Sequence, residues 1–297
     1  MDLQRLRYFL AVAEAGSVSR AAARLRVTQP SVSQQLGKLE ASVGRRLFDR
    51  QGRGMVLTDA GRGMHTRAAR IIAEVDSLLR DGAGMEEGST RLAVGAIPTM
   101  APYILPRALS ALRKKLPECE ISVREDVTER LVEMLHDNVL DCAILSTPID
   151  DPMIELEVVG REELLAVVPA AWPEARGPML TVADLREHPA ILLEDVHCLS
   201  QQVKAFCTAR KVAPRVVCRM TQLSTVLELV GLGMGLSIVP EMAARVDTSN
   251  VRKYVRLTSM KPVREIALAW RRGRTRGRGV EGLGEILKRH WMEKRAS

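Results

Sequence analysis

Apolar residues over the first sixty positions recur at three- and four-residue intervals. Leu3, Leu6, Leu10 and Ala13 define a helix that stops at Gly16, where a left-handed cap is sterically cheap. Ser19 is placed to cap a second helix ending at Leu25, whose Ala21, Ala22 and Ala23 permit close helix approach. After a turn at Arg26 and Val27, Thr28 precedes a third helix with Pro30 in its first turn and Val32, Leu36, Leu39 and Val43 on one face. Residues 47–57, with Arg50, Arg53, Gly52 and Gly54, read as a short basic hairpin. Three helices and a hairpin assemble as an all-α winged helix-turn-helix, residues 1–58.

Thr58 caps a long helix from Asp59 to Leu79 whose stripe is Met64, Ala68, Ile71, Val75 and Leu78. That stripe either packs on its own wing or pairs with a second subunit, and the charged remainder of the helix favours the second subunit. Gly82, Gly84, Glu86, Glu87, Gly88 and Ser89 follow as a hinge, so residues 59–88 form the linker. Strand-like runs then fall at 92–96, 121–125, 142–145, 164–168, 190–193, 215–220, 236–239 and 266–270. They alternate with helical patterns at 104–116, 129–137, 201–210 and 223–231. This alternation defines an α/β body in which most strands can be parallel.

Charge separates the two parts. The chain has a formal net charge of +8, and residues 1–70 carry 13 Lys and Arg against 5 Asp and Glu. Residues 271–297 hold 9 basic and 3 acidic side chains, which leaves the stretch between at −6. A basic N-terminal module on an acidic body points to a polyanion, and the 3% aromatic content favours a duplex backbone over stacked single strands. On the third helix Ser31, Gln34 and Lys38 lie opposite the apolar stripe. Gln can bond adenine bidentately, Ser reaches bases or phosphates, and Lys neutralises phosphate. With 46% hydrophobic and 27% charged residues the chain is a folding one, and no apolar run reaches the roughly 18 residues of a membrane span. The start lacks a signal segment and the five cysteines are odd in number, so a reducing cytoplasm is expected.

Cys119, Cys142 and Cys218 lie in strand contexts where cysteine serves as a small hydrophobe. No CxxC or paired Cys/His spacing calls for a metal, and no motif calls for a cofactor. Cys198 differs. It follows His197 and opens a helical segment with Leu199, Val203 and Phe206 on one face, where a helix start can stabilise a thiolate. A thiolate attacks peroxide oxygen to give a sulfenic acid that a second thiol can trap, and Cys207 lies nine residues on. The residues alone equally admit two inert buried thiols.

The segment LRYFLAVAEAGSVSRAAARLRVTQPSVSQQLGKLEASVGRRLFDR, continuing into LTDAG, resembles the LysR-type transcriptional regulators over about sixty residues. The resemblance implies that Gln29, Pro30, Ser31, Ser33 and Gln34 open the recognition helix, with Lys38 beyond them and Arg50 and Arg53 on the wing. It implies two Rossmann-like, periplasmic-binding-protein-like lobes, the first at 89–160 plus 268–297 and the second at 161–267. LEDVHCLSQQVKAFC, AIPTMAPYILP and DVTERLVEMLHDNVLDCAIL further resemble the peroxide-sensing OxyR branch of that family. By that resemblance Cys198 is the peroxide-reacting thiol and Cys207 the resolving thiol, with Thr99, Thr128, His197 and Arg271 around the reacting oxygens. Where relatives carry Asp, this chain has Gln201, which cannot act as a carboxylate acid or base.

The resemblance further implies hydrogen peroxide as the signal, and promoter DNA and RNA polymerase as partners. It also implies a homodimer through the linker helix paired into a tetramer, and a bacterial cytoplasmic location on the nucleoid. A small organic effector between the lobes, with both cysteines structural, is the alternative. Residues 271–278 are expected to be a mobile basic tail. If 198–207 is one helix, about 13–14 Å separates the two cysteines along its axis, whereas a disulfide needs Cα atoms about 4.4–6.8 Å apart. Oxidation would then require local refolding.

Overall fold

The computed structural model describes residues 2–51, 54–83, 91–177, 179–181, 183–258 and 261–296. The chain divides into two units, residues 1–87 with 136–139 and residues 88–135 with 140–297.

In the N-terminal unit, α1 (Leu3–Ala15) is capped by the Asp2 carboxylate, which accepts from Arg5 N–H, and ends at Gly16 with φ +59°. The second helix, α2 (Val18–Leu25), begins one residue before the expected cap. Ser17 occupies the cap position without a side-chain bond, while the Ser19 hydroxyl donates to Gln29 Oε1 at 3.0 Å. The third, α3 (Gln29–Val43), buries Val32, Leu36 and Leu39 as its periodicity predicts. They join Leu6, Phe9, Val12 and Leu47 in one core. The wing pairs β1 (Phe48–Gln51) with β2 (Gly54–Leu57) antiparallel, and the Glu40 carboxylate closes it by accepting from the N–H groups of Leu47 and Phe48.

Thr58 caps α4 (Asp59–Ala83) through its hydroxyl, which accepts from Gly61 N–H at 3.0 Å. Gly61 is required: a Cβ there would stand 2.0 Å from the carbonyl oxygen of Leu47. The apolar stripe of α4 divides. Ala68 and Ile72 are buried with Met64 against the helix-turn-helix core, whereas Ile71 is 45% exposed. The expected hinge begins later than the sequence implied, because Gly82 still belongs to the helix. The hinge residues Gly84, Glu86, Glu87, Gly88 and Ser89, and the side chain of Leu78, lie outside the described residues.

The C-terminal unit is α/β with two hydrophobic cores. The first core gathers β3 (Arg91–Ala96), α5 (Ala101–Lys115), β4 (Glu120–Glu125), α6 (Thr128–His136) and β5 (Cys142–Ser146). A 16-residue strand, β6 (Ile154–Pro169), then carries the chain into the second core. That core holds β7 (Met179–Leu180), α7 (Asp184–Glu187), β8 (Pro189–Leu193), α8 (Cys198–Ala209) and β9 (Arg215–Met220). It continues through α9 (Leu223–Gly231), β10 (Ser237–Pro240), α10 (Glu241–Val246) and β11 (Arg252–Leu257). The chain returns through β12 (Val263–Arg271) to α11 (Arg278–Ala296), which packs on the first core.

Among the described residues the main sheet runs β4-β3-β5-β12-β6-β11-β7, with β10 also on β6 and with β8-β9 apart. Pairing is mixed rather than mostly parallel: β3 is parallel to β4 and β5, but β12 and β6 lie antiparallel and cross together between the cores. Their register shifts at Ile266/Ala267, beside Gly160, whose missing side chain admits the Trp291 ring.

The expected basic tail is instead ordered structure. Arg271 closes β12, Arg274 pairs with Asp141 at 2.5 Å and donates to Leu140 O, and Arg276 stacks over Trp270 and pairs with Glu157. In α11, Gly279 and Gly282 let the helix approach Leu92 and Leu112 closely, which offsets the low helix propensity of a glycine-rich segment.

Candidate functional site

Two sites were expected, one in each unit. On α3, Gln29, Pro30, Ser33, Gln34 and Lys38 are exposed and Ser31 is half-buried, with Ser31, Gln34 and Lys38 on the side away from the buried stripe. Pro30 in the first turn sacrifices no helix bond. The wing strand β1 carries Arg50, paired in register with Met55; the side chain of Arg50 and the whole of Arg53 lie outside the described residues. This face is a positive, hydrogen-bonding helix start, suited to a duplex groove. Replacing Gln34 with Ala should alter sequence preference in binding titrations. Replacing Lys38 with Ala should weaken all sequences alike and reduce the salt slope by about one.

The second site lies where α8 meets the first core. Cys198 is the first residue of α8, preceded by buried His197 in the cap position, and it packs against the first core. Leu199, Val203, Phe206 and Cys207 pack instead in the second core. Cys198 and Cys207 are both free thiols on one unbroken helix. Nine steps separate them by about 13–14 Å along the axis and turn them about 180° apart.

Burial pushes the Cys198 thiol above its ordinary pKa. The Arg264 cation, the Thr128 hydroxyl and the Leu199 N–H favour the anion, and Glu129 opposes it. The expected helix-start effect is therefore present but outweighed by desolvation, and the resting group is the thiol. Thr128 opens α6, and apart from its approach to the Cys198 sulfur its buried hydroxyl meets no hydrogen-bond partner among the described residues. Thr99, 2% exposed, precedes α5; its hydroxyl accepts from Arg264 Nη1 at 2.9 Å and its carbonyl from Nη2 at 3.0 Å. Arg264 Nε donates to Glu162 Oε1 at 2.6 Å, Glu162 Oε2 accepts from Met242 N–H, and both charged side chains are fully buried.

The cation facing Cys198 is thus Arg264 and not Arg271. Both lie on β12, but seven residues of extended chain, roughly 23 Å, separate them, and Arg271 pairs in register with Ile154. Arg264 shares the inward parity of Ile266 and Leu268 within VREIALAW, a local sign of burial that does not by itself name its partner. Gln201 is exposed and donates to the Asp195 carbonyl. Cys119 and Cys142 are buried with raised thiol pKa values, and Cys218 is half-buried on β9. Among the described residues no three His, Cys, Asp or Glu side chains gather as a metal site, and no helix is long and apolar enough to cross a membrane.

A winged helix-turn-helix, a long connecting helix and a two-lobed α/β body with a buried thiol site define a transcription regulator with its sensory body on the same chain. Residues 3–62 match the bacterial regulatory helix-turn-helix proteins of the lysR family and residues 86–292 match the LysR substrate binding domain, so the chain belongs to the LysR family of regulators, which are not enzymes. It is 32% identical over 289 residues to a probable hydrogen peroxide-inducible genes activator of Mycobacterium leprae, covering 95% of this chain and 92% of that one. The full-length cysteine-to-aspartate variant of OxyR from Pseudomonas aeruginosa superposes with a TM-score of 0.78 at 26% identity, over 97% of this chain and 95% of that one. A hydrogen peroxide-bound OxyR mutant from Corynebacterium glutamicum superposes at 0.67 with 31% identity, over 99% and 94%.

Proposed function

We propose that this regulator binds promoter DNA and senses hydrogen peroxide through oxidation of Cys198 and its pairing with Cys207. The observation that carries the reading is the Cys198 sulfur at a helix start, beside the buried Thr128 hydroxyl and the Arg264–Thr99 pair. Peroxide fits there because one oxygen can receive a hydrogen bond from Thr128 while the departing oxygen develops negative charge near Arg264. The Cys198 proton leaves as the sulfur attacks. The S–O bond forms, the O–O bond breaks, and the hydroxide takes the proton to become water. The Cys207 thiol then displaces the sulfenic oxygen as a second water. In this reading Arg264 takes the role first given to Arg271, and Thr99, Thr128 and His197 keep theirs around the reacting oxygens.

The DNA contacts belong to Gln29, Pro30, Ser31, Ser33, Gln34 and Lys38, with Arg50 and Arg53 on the wing. The exposed Ile71 face of α4 supports a dimer seam. The lobe limits at 89–160 plus 268–297 and 161–267 fall within the crossing strands. Tetramer formation, contact with RNA polymerase and a cytoplasmic, nucleoid-bound location complete the proposal. The test is thiol mass spectrometry of the reduced protein before and after a near-stoichiometric peroxide pulse, with a DNA footprint of each sample. A Cys198–Cys207 disulfide with an altered footprint is expected. Unchanged thiols would remove the reading in favour of an organic effector between the lobes.

A further inference from the structure

The helix α8 is fastened to both lobes, and by different residues. Its apolar face, Leu199, Val203, Phe206 and Cys207, belongs to the second core. The face bearing Cys198 also bears Gln202, one turn on, as expected for an i,i+4 pair. Gln202 Nε2 donates to Ser146 Oγ at 2.8 Å and to the Thr147 carbonyl at 2.9 Å, both at the end of β5 in the first lobe. Ser146 is itself 1% exposed and donates to the Glu265 carbonyl on β12, so Gln202 grips a fixed point beside the crossing strands. The other end of the amide, Oε1, is buried without a partner among the described residues.

We propose that Gln202 is a latch that holds α8 to the first lobe and sets the barrier to disulfide closure. The proposal rests on the reading that Cys198 is oxidised and paired with Cys207. In that step the Cys207 sulfur bonds to the Cys198 sulfur, the Cys198 S–O bond breaks, and oxygen departs with the Cys207 proton as water. Cys207 gives up the electrons that the Cys198 sulfur accepts. Joining sulfurs about two and a half helical turns apart cannot leave residue 202 in place, since it lies between them. The two donor bonds must break before closure, and the orphan oxygen makes the closed arrangement one that yields to a modest push. Gln202 is thus a positioning residue, acting on the second step and not on the first.

The experiment uses the full-length reduced protein and its Gln202→Leu variant, with Gln202→Glu as an isosteric second variant that also lacks the donors. Peroxide is pulsed, the reaction quenched, and sulfenic acid trapped with dimedone while disulfide is followed by mass. Sulfenic acid formation should stay within about twofold, and the conversion to disulfide should accelerate about tenfold, as loss of two hydrogen bonds of ordinary net strength allows. Hydrogen exchange over 198–205 in the untreated variant should rise by a similar factor, and Ser146→Ala on the Leu background should add little to either. Unchanged exchange in the untreated variant overturns the latch, as does raised exchange with no faster disulfide step. If the wild-type chain forms no sulfenic acid, the peroxide reading fails by itself, and the exchange comparison still decides whether Gln202 holds the helix.

Discussion

Arg264→Met is expected to lose both stability and peroxide reactivity. The guanidinium and the Glu162 carboxylate are fully buried and bonded to each other, so removing the cation strands a charge that no water can reach. Breaking a buried pair in this way costs about 3–5 kcal/mol, which for a body of this size lowers the melting temperature by roughly 6–20 °C. The same cation is the group that most favours the Cys198 anion. Its loss should slow oxidation on the order of 10²-fold, as for removal of a preorganised donor at a developing anion. The double variant Glu162→Gln/Arg264→Met separates these effects: it should regain much of the stability and remain slow.

The alkylation rate of Cys198 supplies the pH check. Burial raises this thiol, so in the wild-type protein the rate should keep climbing past the ordinary thiol range, and in Arg264→Met the climb should lie further toward alkaline pH. Oxidation of Arg264→Met at the wild-type rate would remove the arginine from the site.

Cys207→Ser should separate detection from response. Peroxide would still oxidise Cys198, because the groups that act on its sulfur lie around residue 198, whereas Cys207 packs in the second core. Without the second thiol α8 stays whole. Hydrogen exchange over 198–209 should therefore remain at the reduced level, and the DNA footprint with it. The oxidised wild-type protein should exchange faster in this segment on the order of 10²-fold, the signature of a local unit opened at a few kcal/mol of protection. A changed footprint in the oxidised Cys207→Ser protein would show that sulfenic acid alone transmits the signal, and the refolding of α8 would have no part in it.

The helix-turn-helix was legible because its periodicity, its glycine stop and its Pro30 start agree with one another. The core residues of α3 follow the stripe without exception up to Leu39. The body was legible where strands are apolar runs, as at Cys142–Ser146, and illegible where charge is buried or strands are amphipathic. β11 reads as RKYVRL, yet Arg252 is buried by its pairing with Asp247, and the first half of β6 alternates charged with apolar residues. Tertiary pairing removed the polarity penalty that made these segments look like loops. The error at Arg271 has the same origin. An arginine in a strand reads as an edge charge until its buried partner Glu162, 102 residues away, is known. The two thiols were marked as a pair by the family resemblance and not by their spacing, and the acidity of Cys198 was not legible, since a helix start is local and desolvation is not.

That Cys198 and Cys207 sit on opposite faces of an intact helix bears on how the signal ends. A disulfide between neighbours in a finished fold acts as a permanent staple, resistant to thiol reductants. Here the bond would form only at the expense of α8, and the free energy of melting the helix is returned when the bond is reduced. Each 1.4 kcal/mol of that return raises the reduction potential by about 30 mV. Such an oxidised form would be a good electron acceptor for the surrounding thiol pool, and the helix would act as the spring that resets the chain once peroxide is gone.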